Sequence, residues 1–587
     1  MLRALVHAAE RFREEGNLPP TGYKPKIPKW IITLKDKKAY LEGPYTVREI
    51  GKVYAPDRQR SGTKPEPFLL LDKAQYVFGI PRDDKKAAQL HKKYMALLEE
   101  AAEETQEPSL YCILEFLRDP QLEGLEKVKP GDLVAIRVRP GRFPFELESV
   151  QKFWSERLSR ELRTNYQATC SICGTETNIL RILPREIVVL GQKCQISSFN
   201  KSAFLSFGRA QTTNAPICFD CASKAIDALD YLIRNERHHK IIWRNPRAIG
   251  GLDNQLAVFW LDKKTEVSFE ERTYDIEELL SLVLEEAQDS PHAFATLSQL
   301  RQFLDIPWTA KEAALLLDER RFYLAVLSAN KGRLVVREWL EACLGAIRTN
   351  LKEFLQATCI ISPWGDEPRP LSIRALVGAC EGASPNLTRG LLRTAYLGYA
   401  PPSELLEAAL RRFRIPSVVQ DRQNTWRLHA LAAAIKLKLF YGKEEVRTME
   451  QLDPGRKSQA YLCGRLLAVL EEAQLRASGF SLNRTIVDRF YGAASTAPAS
   501  IFGALIKLAT TAHLPDRKVG QEVRALVEEV LSMLDEAGGF PKVLNQREQA
   551  EFALGFYHQR AYFRSQRGKG RTESGEQTPV QETIKEG

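Results

Sequence analysis

Four cysteines are the residues whose types and spacing best suit chemistry. Cys170-Ser171-Ile172-Cys173 is answered by Cys218-Phe219-Asp220-Cys221, with 44 residues between the two pairs. Each Cys-x-x-Cys knuckle brings two thiolates within reach of one ion, and four sulfurs close a tetrahedral shell around Zn²⁺. A closed shell leaves no position for substrate, so the implied zinc, one per chain, is structural. The alternative is two knuckles that coincide by chance, which their wide separation allows. No histidine stands at ligand spacing beside either pair; His238 and His239 follow a whole helix later. A zinc here would fasten both ends of Gly174–Ile217, which carries Arg181, Arg185, Lys193, Lys201 and Arg209 against Glu176 and Glu186.

Charge points to a polyanionic partner. From Arg163 to Arg244 eleven Lys/Arg stand against six Asp/Glu, and the 587-residue chain carries a net charge of +10. Lys and Arg gain affinity for nucleic acid by releasing counterions from phosphates; the plainer reading is a solvated basic surface. Between the knuckles, Ser198, Asn200, Lys201, Gln211 and Asn214 are interleaved with Phe199, Phe204 and Phe207. Amides suit base edges and aromatics suit stacking or wedging, although a Phe-rich segment beside a metal also suits a small core. Upstream, Arg58-Gln59-Arg60-Ser61-Gly62-Thr63-Lys64-Pro65 is a basic turn between apolar anchors. It fits phosphate or base-edge contact, and equally a plain exposed connection.

Signals of catalysis are missing from the sequence. It holds no Gly-x-x-x-x-Gly-Lys-[Ser/Thr] loop, no Gly-x-Ser-x-Gly elbow and no His-Glu-x-x-His pair, so the chain reads as a binding protein and not an enzyme. Asp83-Asp84 precedes Lys85-Lys86 and suits a helix start. Cys112, Cys194, Cys343, Cys359, Cys380 and Cys463 are scattered among apolar residues, which suits reduced thiols and a cytoplasmic location. Met1–Phe12 is a short amphipathic helix without the continuous apolar stretch of a signal peptide. No run approaches the roughly 18 apolar residues of a membrane span.

The elements that would position these residues form an α+β chain. A mixed N-terminal region with a zinc-ribbon-like four-cysteine insertion is followed by a C-terminal α-helical bundle. Trp30–Leu34 and Ala39–Leu41 read as a hairpin; Phe68–Leu71, Leu133–Arg139, Leu256–Trp260 and Phe322–Leu327 read as strands. Helices are predicted over Asp83–Glu104, Leu110–Leu117, Val150–Leu162, Ala222–Arg234 and Asp275–Gln288. Leu334–Trp339 leads into a long helix ending at Leu355, and from about Leu371 onward only helices follow. Asn545 with Glu548 forms a capping box. After Ser565 periodicity stops, which predicts a disordered tail. The expected segments are 1–162, 163–244 (the basic clasp), 245–370, 371–564 and 565–587.

Several motifs together resemble a known family. They are Arg60-Ser61-Gly62-Thr63-Lys64-Pro65 with Phe68 and Ala74–Gly79; Ser198-Phe199-Asn200 with Ala203-Phe204; Asn214-Ala215-Pro216; Phe322–Asn330 with Arg333–Trp339; Ala460–Glu471; Asp488–Pro498; and Phe552–Arg560. In this order they are similar to the large subunit of the type I-C CRISPR Cascade surveillance complex, over nearly the full length. The resemblance implies a protein at the foot of a crRNA-guided complex, beside the subunit that holds the 5′ handle. Its other partners would be the backbone and small subunits, target double-stranded DNA and a helicase–nuclease that it helps to recruit. The N-terminal part would recognise the protospacer-adjacent motif and help open the duplex. The C-terminal bundle, small-subunit-like from about residue 449, would line the path of the displaced strand. An internal start at Met449, Met533 or a non-Met codon would yield a separate small subunit. Where the family often reads Cys followed by Thr-Gly-Glu, this chain has Cys173-Gly174-Thr175-Glu176, which makes the zinc an optional stabiliser.

Within this frame, base-edge and wedge duty falls to the loop Arg58–Lys64, with Arg58, Arg60 and Lys64, and to Ser198, Asn200, Lys201, Gln211 and Asn214, with Lys193 as a further nucleic-acid contact. A positive track uses Arg484, Arg489, Lys507 and Arg560, with Arg333 and Arg337 as further candidates. The rival readings are a stand-alone zinc-ribbon nucleic-acid-binding protein and a metal-dependent nuclease.

Overall fold

The computed structural model describes residues 1–573 except 37, 47, 59–64, 82, 139–141, 200, 210, 245–253, 270–271, 285–299, 302–303, 305–317, 366, 382–383 and 420–424. Two compact units divide the chain: Met1–Lys264 with Tyr323–Trp339, and Thr265–Phe322 with Leu340–Gly587. The boundaries expected at 162, 244 and 370 are not where the units part. Strand pairing draws a later hairpin into the first unit, and no linear segmentation captures that.

The first unit opens with α1 (Leu2–Glu14), whose Leu5, Ala9 and Phe12 are fully buried. β1 (Tyr23–Lys26) pairs antiparallel with β4 (Val53–Pro56). β2 (Trp30–Lys35), β3 (Lys38–Glu42), β5 (Leu71–Lys73) and β6 (Leu133–Val138) make a sheet in the order β3-β2-β6-β5. The β2–β3 hairpin is as expected, and β2 runs parallel to β6. A parallel pair needs a long crossover, and this one contains α2 (Ala74–Val77), α3 (Lys85–Thr105) and α4 (Pro108–Arg118). Asp84 caps α3, its Oδ1 accepting from the Lys86 amide at 2.8 Å, so the acidic pair does open a helix. Of the strand expected over Phe68–Leu71 only Leu71 joins a sheet, because Leu70 takes a left-handed φ of 64°.

α5 (Glu148–Leu162) leads into the hairpin of β7 (Arg163–Thr169) and β8 (Glu176–Leu180). A smaller hairpin, β9 (Ile187–Val189) and β10 (Gln192–Cys194), precedes α6 (Phe219–Arg234). β11 (His239–Trp243) and β12 (Gln255–Leu261) follow. β13 (Glu266–Phe269) and β14 (Arg272–Asp275) belong to the second unit. β15 (Arg321–Asn330) and β16 (Arg333–Cys343) then complete a sheet in the order β11-β12-β15-β16. All seven β12 positions are buried, which explains its unbroken apolar run. Trp260 stacks on Tyr323 with ring centroids 5.3 Å apart.

One apolar core runs through this unit. Cys170, Ile172, Leu180, Ile187, Cys194 and Cys221 share it with Leu5 and Phe12 of α1 and with Leu256 and Trp260 of β12. The four-cysteine insertion of the expected α+β chain is thus packed into the N-terminal body through this shared core. Buried ion pairs reinforce the junction: Arg185 meets Asp227 at 2.9 Å and Asp230 at 3.3 Å.

Among its described residues the second unit has no strand after β16. Its helices are α7 (Ile276–Ser281), α8 (Leu344–Thr358), α9 (Ile373–Ala379), α10 (Pro385–Leu397), α11 (Ser403–Phe413), α12 (Pro416–Val419), α13 (Thr425–Phe440), α14 (Gln459–Ala477), α15 (Ile486–Ala494), α16 (Pro498–Leu508), α17 (Gly520–Glu536) and α18 (Gln546–Glu573). The helix expected over Asp275–Gln288 is described as far as Leu284, ending in a 3₁₀ turn; residues 285–288 lie outside the described residues. The helix expected directly after Trp339 begins only at Leu344, because β16 continues to Cys343. α14 is buried all round from Ala460 to Ala473 and packs along α18. α18 outruns the predicted end at Ser565, because Arg564 donates to the Pro363 carbonyl and Arg567 binds both oxygens of Glu472. The rest of the expected tail, 574–587, lies outside the described residues.

Candidate functional site

The first knuckle is the turn of the β7–β8 hairpin. Cys170 donates its amide to the Thr175 carbonyl at 2.9 Å, and Gly174 closes the turn at φ 78°. The second knuckle starts α6, with Cys218 as the N-cap. A helix N-terminus offers free amides and a positive dipole end, both favourable to thiolate. The Cys218 amide donates to Cys170 Sγ, and the Cys221 amide to Cys218 Sγ, each at 3.4 Å.

All four sulfurs lie within 4.8 Å of one another. Cys173 and Cys218 are 3.9 Å apart. Sulfurs at about 2.3 Å from a common ion sit about 3.8 Å apart in a tetrahedron, so the group fits a metal ion. The protons agree. Hydrogen bonds from Thr175, and more weakly from Cys170 and Cys221, bring the Cys173 thiol down to about 6, which favours the thiolate. Burial pushes Cys218 up to about 11 and raises Cys221 as well, so a cation between the sulfurs would favour their thiolates. Cys170 and Cys221 are buried, whereas Cys173 is exposed.

Between the knuckles the chain carries a solvent-facing loop. From Ile187 to Phe219 there is no acidic residue. Phe204 is 37% exposed, Leu205 41% and Phe207 96%, so these residues form no small core. Phe207 and Gly208 both have positive φ, 54° and 69°, and the Arg209 amide closes the turn on the Ser206 carbonyl at 3.0 Å. A left-handed phenylalanine costs about 1–2 kcal/mol of backbone strain.

The predicted contact residues divide in the structure. Lys193, Lys201 and Gln211 are exposed and Ser198 is half-buried, all on the stretch between β9 and α6. Asn214 belongs to the loop's own scaffold. Its Oδ1 accepts from the Ser206 amide at 2.8 Å, and its Nδ2 donates to the Arg209 and Gln211 carbonyls at 2.9 Å. Arg333 comes to the same loop from β16, its guanidinium 4.3 Å from the Phe204 ring centre. Arg337 donates to Ser328 Oγ at 2.8 Å. Arg58 is ion-paired with Glu161 at 2.7 Å and is largely buried. Arg60, Lys64 and Asn200 lie outside the described residues.

Residues 5–564 match the family described as CRISPR-associated protein (Cas_Csd1). The chain belongs to the Cas_Csd1 family. No curated protein matches it significantly. The match runs through both units of this Cas_Csd1 chain and takes in the clasp, the loop and the α14–α18 pair.

In the second unit, Arg484 just before α15, Arg489 on α15 and Lys507 on α16 are exposed. Arg560 is engaged within the bundle. Its Nε pairs with buried Glu471 at 3.0 Å and its Nη1 donates to the Val419 carbonyl at 2.9 Å. Among the described residues no helix is long and apolar enough to cross a membrane. Among the aromatics that the sequence placed between the knuckles, Phe207 stands out in the structure by its exposure. Its place in the Ser206-Phe207-Gly208-Arg209 turn accounts for that exposure.

Proposed function

We propose that this Cas_Csd1 protein is the large subunit of a type I-C crRNA-guided antiviral complex. In that role it recognises the protospacer-adjacent motif in double-stranded DNA, aids duplex opening, steadies the displaced strand and helps recruit the helicase–nuclease. Its partners are the crRNA with its handle-binding subunit, the backbone subunit and the small subunit. It works in the cytoplasm and carries no catalysis of its own. The observation that carries this reading is the family match over residues 5–564.

The chemistry is consistent with the role. Guide pairing reads the target sequence, so the protein needs only a few base-edge contacts and a positive surface. The acid-free loop offers Lys193, Lys201, Ser198 and Gln211 on one segment. A structural zinc at Cys170, Cys173, Cys218 and Cys221 would hold both ends of that segment, supplying cross-linking and no reaction step. Met449 stands in a short turn before α14, so a product started there would carry α14–α18.

The test is purification of the tagged chain from its native host, followed by binding to duplexes randomised beside the target. Recovery with crRNA-bearing partners and enrichment of one short motif are expected. A lone monomer indifferent to motif would favour the stand-alone binder, and cleavage of DNA by the pure chain with Mg²⁺ or Mn²⁺ would favour a nuclease.

A further inference from the structure

We infer that Phe207 is a base-stacking residue: its ring packs on the face of a DNA base, with Lys201 and Arg209 on the adjoining phosphates. The inference rests on the DNA-binding role proposed above and names a contact within it.

Folding gives no reason for a phenylalanine at this position. The ring is 96% exposed and buries nothing. The backbone is left-handed there, at φ 54°, where glycine or asparagine would sit more easily. Both features are unfavourable to the isolated chain, and contact with a ligand would offset them. The turn is also held firmly. Asn214 ties it from inside through the Ser206 amide and the Arg209 carbonyl, so the backbone that carries the ring is held in place.

The surroundings choose the ligand. Lys201 and Arg209 are exposed on the same loop, and no carboxylate occurs from Ile187 to Phe219. A single flat ring between cations suits a nucleobase flanked by phosphates. An anionic membrane would be better served by a broad apolar face, and here the neighbouring Phe204 and Leu205 are each more than half covered. The base could belong to a duplex step or to an unpaired strand, and the chemistry of stacking is common to both.

The experiment uses the full-length chain with its co-purified partners and DNA carrying a fluorescent purine analogue at successive positions. One series is duplex and one single-stranded. Wild type should change the analogue's emission at one or two positions, and the series that responds identifies the source of the base. Phe207→Ala should abolish that change and raise Kd about ten-fold or more, with no loss of thermal stability. Phe207→Trp should restore binding and show indole quenching by DNA. Lys201→Ala with Arg209→Ala should weaken binding to every sequence and flatten its salt dependence. Unchanged Kd and emission in Phe207→Ala, while wild type binds DNA, would overturn the inference and leave the proposed function standing. So would Phe207-dependent binding to phosphatidylglycerol vesicles in preference to DNA. Failure of wild type to bind DNA in either series would overturn the proposed function and this contact with it.

Discussion

A Cβ on Gly464 would lie 2.0 Å from the carbonyl oxygen of Phe552. The relation is reciprocal, since one on Gly555 would lie 2.1 Å from the carbonyl oxygen of Tyr461. α14 and α18 thus cross backbone against backbone, with a glycine on each side. Neither obstacle is a side chain that could rotate away. Gly464→Ala and Gly555→Ala should each cost about 3 kcal/mol or more from overpacking, which outweighs the gain of about 1 kcal/mol in helix propensity. Urea unfolding followed by helical circular dichroism checks this. An unchanged midpoint in both variants would mean that the helices do not cross as described.

Metal analysis should find about one zinc per chain. Cys170→Ser or Cys218→Ser should lose it and lower the melting temperature, and a chelator should do the same to wild type. Acid should release the metal too, because protons compete with it for the four thiolates. Unaltered zinc content and stability in Cys170→Ser would refute the clasp, while family membership would stand.

Two buried histidines predict an acid-sensitive second unit. Burial lowers His558 to about 3 and His429 to about 4, and Tyr461 Oη holds His558 Nδ1 at 2.9 Å. A histidine depressed in the fold takes its proton first in the unfolded chain. Its stabilising contribution is complete above about pH 6.5 and is lost as pH falls toward the folded value. At pH 5 the loss is about 2 kcal/mol for each histidine. Urea midpoints between pH 7.5 and pH 5 measure it, and His558→Gln should reduce the slope. A flat profile would contradict the buried neutral imidazoles.

Arg560 and the exposed cations should separate stability from binding. Arg560→Ala removes the ion-pair partner of Glu471, which is 1% exposed, at a cost of about 3 kcal/mol or more. Arg484→Ala, Arg489→Ala and Lys507→Ala should leave stability within about 0.5 kcal/mol and weaken DNA binding with a shallower salt dependence. Thermal melts and filter binding on the same four variants decide the matter. Equal destabilisation by all four would remove the distinction.

Long periodic segments were legible from the sequence because local pattern and tertiary role coincide. α3 has its apolar stripe and its Asp84 cap, and β12 has an unbroken apolar run because both of its faces are covered. The four cysteines were legible because metal-ligand spacing is local at each knuckle. The end of β16 was not legible, because it is set at long range. Leu340, Glu341 and Ala342 favour helix, yet they extend β16, whose pairing with β15 overrides propensity. Asn214 has the chemistry of a base reader and uses it on its own loop. Arg560 has the charge of a phosphate contact and uses it inside the bundle. Residue type states what a side chain can do, and only the fold states which way it points.

The late hairpin has a consequence during synthesis. β12 emerges from the ribosome well before its neighbour β15, because Thr265–Phe322 must be made in between. At about 5–20 residues per second, the stretch through Trp339 takes roughly 4–15 s to translate. For that interval β12, with Phe259 and Trp260, has one open edge in the nascent chain. Edges of that kind recruit wrong strands. The chain is thus most vulnerable midway through translation, when chaperone cover or a fast codon run over 265–339 would most raise the yield of folded protein.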